Sequence, residues 1–391
     1  MSSGRHYQVD IDFVTISHTE ADGLREVYGY SEPGKVVLDG VRFIPKGLPS
    51  KTLLMYMHPT GTVRRLPVPR AMAAAGMHVL CAESRYTRND TALVMEKVVC
   101  DYGAFVHHAK QVWGYSTVVL VGWSGGGSLT ALYQSQAEKP TITDTPAGDP
   151  VDLEHLIPGD AFIFHAAHLG RAEMLRDFID PSVVDEANPE VRDVELDLYD
   201  PRNPNQPPYS RDFLDYFRAQ QAARIRRRTV YVRQVLEHLQ SSGTTDTERV
   251  ILTHRTLADP RFLDPTVEPN DREIGMSFMG VPERANTSPA GIARSSTLRG
   301  WLSQWSPDDT RAQADVAAAN ITVPVLAIEN SADDAVPQPH TGRFMDACAS
   351  ADKAMVVIQG ANHYYAGQDA ILQDVVGRIQ GWLQERNLAQ A

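Results

Sequence analysis

The chain of 391 residues carries 37 basic and 49 acidic residues, a formal net charge of −12, and 42% hydrophobic residues. This hydrophobic content is enough for a large core, and the length suits one enlarged α/β domain with an insertion as well as two independent domains. The acidic balance argues against a nucleic-acid partner, because binding phosphates requires a positive field.

The cysteines and the hydropathy pattern favour a reducing compartment. Cys81, Cys100 and Cys348 have no paired spacing and are expected to be small buried hydrophobes. The first residues lack the apolar stretch of a secretory signal, and no apolar run reaches the length that spans a membrane. We therefore expect a cytoplasmic protein without a membrane partner.

Apolar runs alternate with helical patterns in the first third of the chain. Alternation of this kind predicts a mostly parallel sheet flanked by helices. The predicted strands are at 36–44, 52–57, 77–83 and 117–121, and the predicted helices are at about 67–75 and 91–113.

The most specific motif follows the strand predicted at 117–121. The β-branched run stops at Gly122 and turns through Ser124 into three glycines. A serine held in a strained strand-to-helix turn needs small residues two positions before and after it, here Gly122 and Gly126. The pattern predicts a nucleophile elbow at Ser124. A phosphate-binding loop is disfavoured because no lysine follows the glycines.

A serine hydroxyl is a poor nucleophile unless a histidine removes its proton and a carboxylate orients that histidine. A buried-strand pattern within 323–337 ends in a polar turn that carries Asp333 and Asp334. A further apolar strand at 354–358 precedes His363 in the next loop. Both partners of the serine are thus predicted to follow strands.

The chain order Ser124, Asp333, His363, with each residue just past the carboxyl end of a strand, resembles the α/β-hydrolase family. The resemblance covers about residues 36–135 and 320–391. It implies an α/β-hydrolase fold, with a mostly parallel sheet, in which these three residues are the catalytic nucleophile, acid and base.

Asp333 is the preferred acid because it stands three residues before a Val-Pro pair, where many members of that family hold their carboxylate. Its neighbour Asp334 and the strand residue Glu329 are the alternatives. The correct choice matters, because the carboxylate must hold the imidazole in the tautomer that accepts the serine proton.

The resemblance also implies an oxyanion hole with two backbone donors. One is the N–H of Gly125, and the other belongs to the loop after the strand that ends at His58. Many family members carry a His-Gly-x-Gly sequence there, but this chain has a proline at position 59, which has no N–H to donate. The second donor is therefore predicted to be Thr60, with Gly61 as the alternative.

Other side chains near the predicted site have two interpretations. His58, Trp123 and His165 are candidates for the wall of a substrate pocket, although a structural role is at least as favoured for each. No cluster has the spacing of a metal site, and neither a metal nor another cofactor is expected.

From about 168 to 315 the pattern of apolar strands does not continue, and proline-rich loops alternate with charged helical patterns. The hydrolase core is therefore assigned to 1–167 and 316–391, and a mainly helical cap to 168–315. One long helix is predicted at 210–240, with Ser210 as its N-cap.

A second helical region is predicted at 283–312. The long helix also carries a basic run, for which a solvated helix face is preferred over recognition of an anionic substrate. The run consists of Arg224, Arg226, Arg227, Arg228 and Arg233.

Together these features predict a serine hydrolase that cleaves the carboxylic ester of a small or medium, largely apolar substrate through an acyl-enzyme, since a large cap encloses a discrete ligand. The same triad supports thioester, amide or carbon–carbon bond hydrolysis and acyl transfer. A non-catalytic ligand receptor is the remote alternative. The expected partner is a small-molecule substrate, and self-association is left open.

Overall fold

The computed structural model describes residues 6–20 and 32–389. The strands are β1 (Val9–Thr19), β2 (Lys35–Pro45), β3 (Thr52–His58), β4 (His78–Glu83), β5 (Thr117–Ser124), β6 (Ala161–Ala167), β7 (Val250–Leu252), β8 (Ser295–Thr297), β9 (Val325–Asn330) and β10 (Lys353–Ile358). The α-helices are α1 (Pro67–Ala74), α2 (Met95–His107), α3 (Gly125–Glu138), α4 (Arg171–Phe178), α5 (Arg211–Ser241), α6 (Pro282–Asn286), α7 (Leu298–Gln304), α8 (Ala314–Ala318), α9 (Pro339–Ala347) and α10 (Asp369–Glu385).

The main sheet has eight strands in the order β1-β2-β4-β3-β5-β6-β9-β10. β2 pairs antiparallel with both β1 and β4, and the six strands from β4 to β10 in this order are parallel to one another. In the middle strand β3, Leu54 lies opposite Val79 of β4 and Val119 of β5. Because parallel strands share one direction, the carboxyl ends of β3, β5, β6, β9 and β10 meet at one edge of the sheet.

Helices cover both faces of the sheet, as buried parallel strands require. Along β3, alternate side chains point to opposite faces. Met55 belongs to the apolar cluster on one face that includes Phe105 of α2, while Tyr56 belongs to the cluster on the other face that includes Trp382 of α10. This two-sided core confirms the predicted fold class and holds the strand ends in place.

The predicted strands before and within the elbow are confirmed by β2 to β5, but the structure differs from the sequence-based prediction at two places. The edge strand β1 was not predicted, because its apolar residues do not keep one alternation along the strand. Phe13 is 81% exposed, whereas its neighbour Val14 and then Ile16 face inward. The helical region expected at 283–312 is broken into α6, β8 and α7, since the run of small and polar residues between α6 and β8 does not sustain a helix.

Between β6 and β9 the chain forms an insertion with its own core. The long helix α5 has 31 residues, and the Ser210 hydroxyl accepts a hydrogen bond from the Phe213 N–H at 3.2 Å, which confirms the predicted helix and its N-cap. Trp301 and Trp305 are buried against apolar residues of α5 such as Val232. The insertion therefore packs around its own apolar cluster.

The basic run of α5 divides between the interior and the solvent. The Arg224 side chain is fully buried, donates to both carboxylate oxygens of Glu186 at 2.7 and 2.9 Å, and donates to the carbonyls of Asp180 and His254. Arg228 is also buried. The interpretation as a solvated face is wrong for these two side chains and holds only for the exposed members of the run: Arg226, Arg227 and Arg233.

Hydrogen bonds join the insertion to the sheet domain on two sides. On one side, the Gln304 amide donates to the Leu93 carbonyl at 2.7 Å. On the other side, the Asn270 amide donates to the Asp333 carbonyl at 3.1 Å, and the Asp271 N–H donates to the Ser331 carbonyl at 2.9 Å. The insertion thus reaches the loop after β9, at the carboxyl edge of the sheet.

The helices offer no candidate for a membrane span. Within residues 6–20 and 32–389, none combines the length and the apolar character that crossing a bilayer requires.

Replacement of Arg224 by methionine is expected to destabilise the fold by about 3 kcal/mol, because it leaves the Glu186 carboxylate and two carbonyls without their donor. Arg226→Met is the matched control on the same helix, and it is expected to change the free energy of unfolding by no more than about 0.5 kcal/mol. Urea denaturation measures both. Equal stabilities for the two variants would contradict the role assigned to Arg224.

Candidate active site

Ser124 lies at the junction of β5 and α3 in a strained conformation. Its backbone angles are φ 53° and ψ −123°, a combination that non-glycine residues rarely adopt. Gly125 is the first residue of α3, so its N–H has no acceptor within the helix. The strained turn places the serine directly before a free helix N-terminus.

The glycines around Ser124 are required by close backbone contacts. A Cβ at Gly122 would lie 2.6 Å from the Gly126 carbonyl oxygen, and a Cβ at Gly126 would lie 2.4 Å from the Met57 carbonyl oxygen. Gly127, which the motif did not single out, has the same property, since its Cβ would lie 2.4 Å from the Ala167 Cβ. The small residues therefore let α3 approach β3 and β6.

His363 and Asp333 are joined at the same edge of the sheet. The His363 Nδ1 donates to Asp333 Oδ2 at 2.9 Å, and both side chains are buried. The other oxygen of this carboxylate accepts from the N–H groups of Ala335 and Val336, both at 2.8 Å. The carboxylate is thereby held in one orientation, with one oxygen for the imidazole and one for the backbone.

The neighbouring acid Asp334 has a different environment. Burial raises the pKa of its carboxyl, and the charge of Asp333 raises it further. Its Oδ1 is buried without a hydrogen-bond partner among the described residues. Of the alternatives weighed from the sequence, the one that contacts His363 is Asp333.

The imidazole of His363 lies beside the elbow. Its ring centre is 4.5 Å from that of Trp123, the residue before Ser124. Within the described chain, no hydrogen bond joins the Ser124 hydroxyl to the His363 ring. The Ser124 carbonyl accepts from the N–H of His168, which follows β6, at 3.3 Å.

The loop after β3 differs from the prediction for the oxyanion hole. The N–H groups of Thr60 and Gly61 both donate to Nδ1 of His58, at 3.1 and 2.7 Å. Both backbone donors considered from the sequence are therefore turned toward the imidazole, because the chain folds back over His58 directly after Pro59. Neither N–H is free for a ligand in this arrangement.

Several neutral histidines surround the elbow. Burial lowers the pKa of His165 and His168 to about 3, and it lowers the pKa of His58 well below its usual value. The charge of Arg171 further lowers the pKa of His58 and His168. Among the described residues, no group of three or more His, Cys, Asp or Glu side chains is arranged to hold a metal ion.

His165 has a different position from the predicted pocket wall. Its side chain is fully enclosed, and its Nε2 lies 2.6 Å from the hydroxyl oxygen of Tyr365. Tyr365 in turn donates to Asn330 at 2.8 Å, and the Asn330 amide donates to the Asn362 carbonyl at 3.0 Å. This chain of hydrogen bonds links His165 in β6 to the loop that carries His363. His165 therefore supports that loop and does not line an open pocket.

Sequence reasoning did not single out Arg171, Tyr365 or Asn330. Arg171 is buried, pairs with Asp90, and lies over the Trp305 ring with its guanidinium carbon 4.3 Å from the ring centre. The available signals were weak: Asn330 ends a buried strand, and Tyr365 stands two residues after His363. Nothing in the local pattern marks Arg171.

The strand order, the parallel pairings and the strained elbow together define the α/β-hydrolase fold. Solved structures share this overall fold. The chain is similar to the complex of DcsB with its substrate analogue, with a TM-score of 0.51 and 13% identity over 96% of this chain and 99% of that one.

One further structure shows the same overall likeness. Hypothetical protein PA2218 from Pseudomonas aeruginosa has a TM-score of 0.51 at 13% identity, covering 96% of this chain and 94% of that one. The α/β hydrolase GrgF from Penicillium sp. sh18 has a TM-score of 0.49 at 10% identity, covering 96% and 98%. The sequence matches no protein-family model and no curated protein. Likeness at this level of identity shows the fold and leaves function to be argued from the site.

Replacement of Gly126 by alanine is expected to destabilise the protein by about 1–3 kcal/mol, since the added methyl group meets a backbone carbonyl that cannot move independently. Gly377→Ala in α10 is the control, because a methyl group there meets nothing within 4 Å. That change is expected to be neutral or to stabilise by up to about 1 kcal/mol. Urea denaturation of both variants checks the difference, and a Gly126→Ala protein of unchanged stability would contradict the close contact.

Proposed function

We propose that the protein is a serine hydrolase in which Ser124 is the nucleophile, His363 the general base and acid, and Asp333 the residue that orients His363. The observation that carries the proposal is the hydrogen bond between His363 and Asp333 at the sheet edge where the strained Ser124 turn lies. A receptor has no need of this combination of groups.

In this proposal the Ser124 oxygen attacks a carbonyl carbon while its proton passes to Nε2 of His363. The imidazolium then gives this proton to the departing alcohol, and an acyl-enzyme remains. Water attacks the acyl carbon, with His363 again taking the proton, and Ser124 is released with the acid product. The N–H of Gly125, at the start of α3, stabilises the negative oxygen in both halves.

The hydrogen bond between Ser124 and His363 belongs to the reacting complex in this scheme. Catalytic hydrogen bonds are often long in the free enzyme and tighten when the substrate binds. The contact between the rings of Trp123 and His363 supports the scheme, because it keeps the base next to the elbow.

The proposed substrate is a carboxylic ester of a small or medium, largely apolar molecule. The proposal assigns the hydrolase core to 1–167 and 316–391, and treats the insertion, 168–315, as a cap that encloses a discrete ligand. Its hydrogen bonds to the loop after β9 support this role. A thioesterase that binds the phosphates of coenzyme A is not favoured, because Arg224 and Arg228 of the basic run donate hydrogen bonds to backbone carbonyls inside the insertion.

The proposal is tested with a fluorophosphonate probe and an activated short-chain ester. The wild-type protein is expected to become labelled at Ser124 and to hydrolyse the ester, because only an activated serine reacts with the probe. Ser124→Ala is expected to lose both properties while keeping its circular dichroism spectrum and thermal unfolding midpoint. Ester turnover at the wild-type rate in this variant would disprove the mechanism, and an unlabelled wild-type protein would favour a ligand receptor.

Replacement of Asp333 by asparagine is expected to lower kcat by about 1,000-fold or more, because the amide no longer holds the imidazole in the tautomer that accepts the serine proton. Asp334→Asn is the matched control, since no hydrogen bond among the described residues joins the Asp334 carboxyl to His363, and its kcat is expected to stay within about tenfold of wild type. Steady-state kinetics with the same ester checks this ranking. The reverse ranking would reassign the acid to Asp334.

A further inference from the structure

The contacts of the His58 ring determine which of its nitrogens carries the proton. Nδ1 accepts the N–H groups of Thr60 and Gly61 at 3.1 and 2.7 Å. A nitrogen that accepts two donors has no hydrogen of its own, so the neutral ring carries its proton on Nε2. His58 therefore presents an N–H donor on the side of the ring that faces away from its own loop.

This donor lies against the start of α3. A Cβ built on Gly125 would be 2.7 Å from His58 Nε2, so the imidazole N–H lies close beside the Gly125 backbone. No described residue accepts a hydrogen bond from this nitrogen, and His58 is partly exposed. The donor is thus available to a bound molecule next to the residue that follows Ser124.

We propose that the Nε2–H of His58 is the second donor of the oxyanion hole, acting together with the Gly125 N–H. The inference rests on the proposed serine hydrolase function. It replaces a backbone donor from the loop after β3 by a side chain from the last residue of that strand. The Thr60 and Gly61 amides then act indirectly, because they hold the imidazole in the tautomer that donates.

The charge state of His58 is consistent with this role. Burial lowers the pKa of its imidazole well below the usual value, and the positive charge of Arg171 lowers it further. At neutral pH the ring is therefore a neutral donor. A neutral ring adds no repulsion against the imidazolium that forms on His363 during the reaction.

Two substitutions at position 58 separate a donor from a merely structural residue. In His58→Asn the side-chain oxygen is placed to accept the Thr60 and Gly61 N–H groups, but no group reaches Gly125. In His58→Gln the longer amide places an N–H near the position of Nε2 and supports the loop less well. If His58 acts as a donor, His58→Gln is more active than His58→Asn. If His58 only supports the loop, His58→Asn is more active than His58→Gln.

The expected result for His58→Asn is a fall in kcat of about 100- to 1,000-fold with little change in KM, the effect of removing one oxyanion donor. His58→Gln is expected to recover at least about tenfold of this loss. The affinity for a trifluoromethyl ketone, which forms a tetrahedral adduct with the serine, is expected to fall in parallel with kcat/KM. Ester kinetics and inhibition constants measure these quantities, and thermal unfolding confirms that both variants are folded.

The inference is overturned if His58→Asn stays within tenfold of wild type, if Gln does not exceed Asn, or if the affinity for the ketone is unchanged. Fluorophosphonate labelling of the wild-type protein is run in parallel. An unlabelled wild-type protein overturns the hydrolase function itself, whereas a labelled one with an active Asn variant overturns only the role of His58.

Should either variant fail to fold, histidine-labelled wild-type protein keeps the question open to measurement by NMR. The Nε2–H signal of His58 is expected to move downfield when the ketone adduct forms. A signal that does not respond to the adduct overturns the inference.

Discussion

The site depends on how closely the start of α3 approaches β3 and β6. At two of the glycines the contacts involve backbone atoms on both sides: the space for a Cβ at Gly126 is filled by the Met57 carbonyl oxygen, and the space at Gly122 by Gly126 itself. Because backbone atoms cannot rotate away, any side chain at these positions would push α3 off the sheet. The same approach brings Gly125 beside His58, so the serine, the helix N-terminus and the imidazole share one small volume.

The parallel sheet converts this local contact into a site. Residues that are distant in sequence meet because β3, β5, β6, β9 and β10 all end at the same edge. The acid loop after β9 is held by its own hydrogen bonds, two of which come from backbone N–H groups to one oxygen of Asp333. The histidine loop after β10 is held by Tyr365 and Asn330. These supports fix side chains that would otherwise lose conformational entropy on binding a substrate.

Much of the fold was readable from the sequence, because strand and helix periodicities reflect burial directly. The runs that form β3, β5 and β9 are apolar on both faces, as strands covered on two sides must be. The elbow was also readable, since glycine requirements leave a trace in residue type. The pairing of His363 with Asp333 was implied by the family resemblance, which also favoured Asp333 over Asp334, and the contact itself agrees with that preference.

Other features left no such trace. The backbone N–H groups of Thr60 and Gly61, expected to face a ligand, donate to His58 instead. The direction of a backbone N–H depends on loop dihedral angles, which residue types do not determine. The burial of Arg224 likewise depends on Glu186 and on carbonyls far away in sequence, so an arginine run that suggests a solvated face contains a fully buried cation. β1 was not predicted because its apolar side chains lie on both faces of the edge strand, so they do not alternate regularly with polar ones.

The hydrogen bond from Asn270 to the carbonyl of Asp333 has a mechanical consequence. An outward swing of the insertion on that side would pull on the peptide of Asp333, whereas an outward swing on the opposite side, where Gln304 donates to Leu93, would leave that peptide undisturbed. In the proposed hydrolase, access for a ligand and alignment of Asp333 are therefore mechanically separable when the Gln304 side releases first. The bond makes the two anchorage sides of the insertion unequal, although their hydrogen bonds are of similar length.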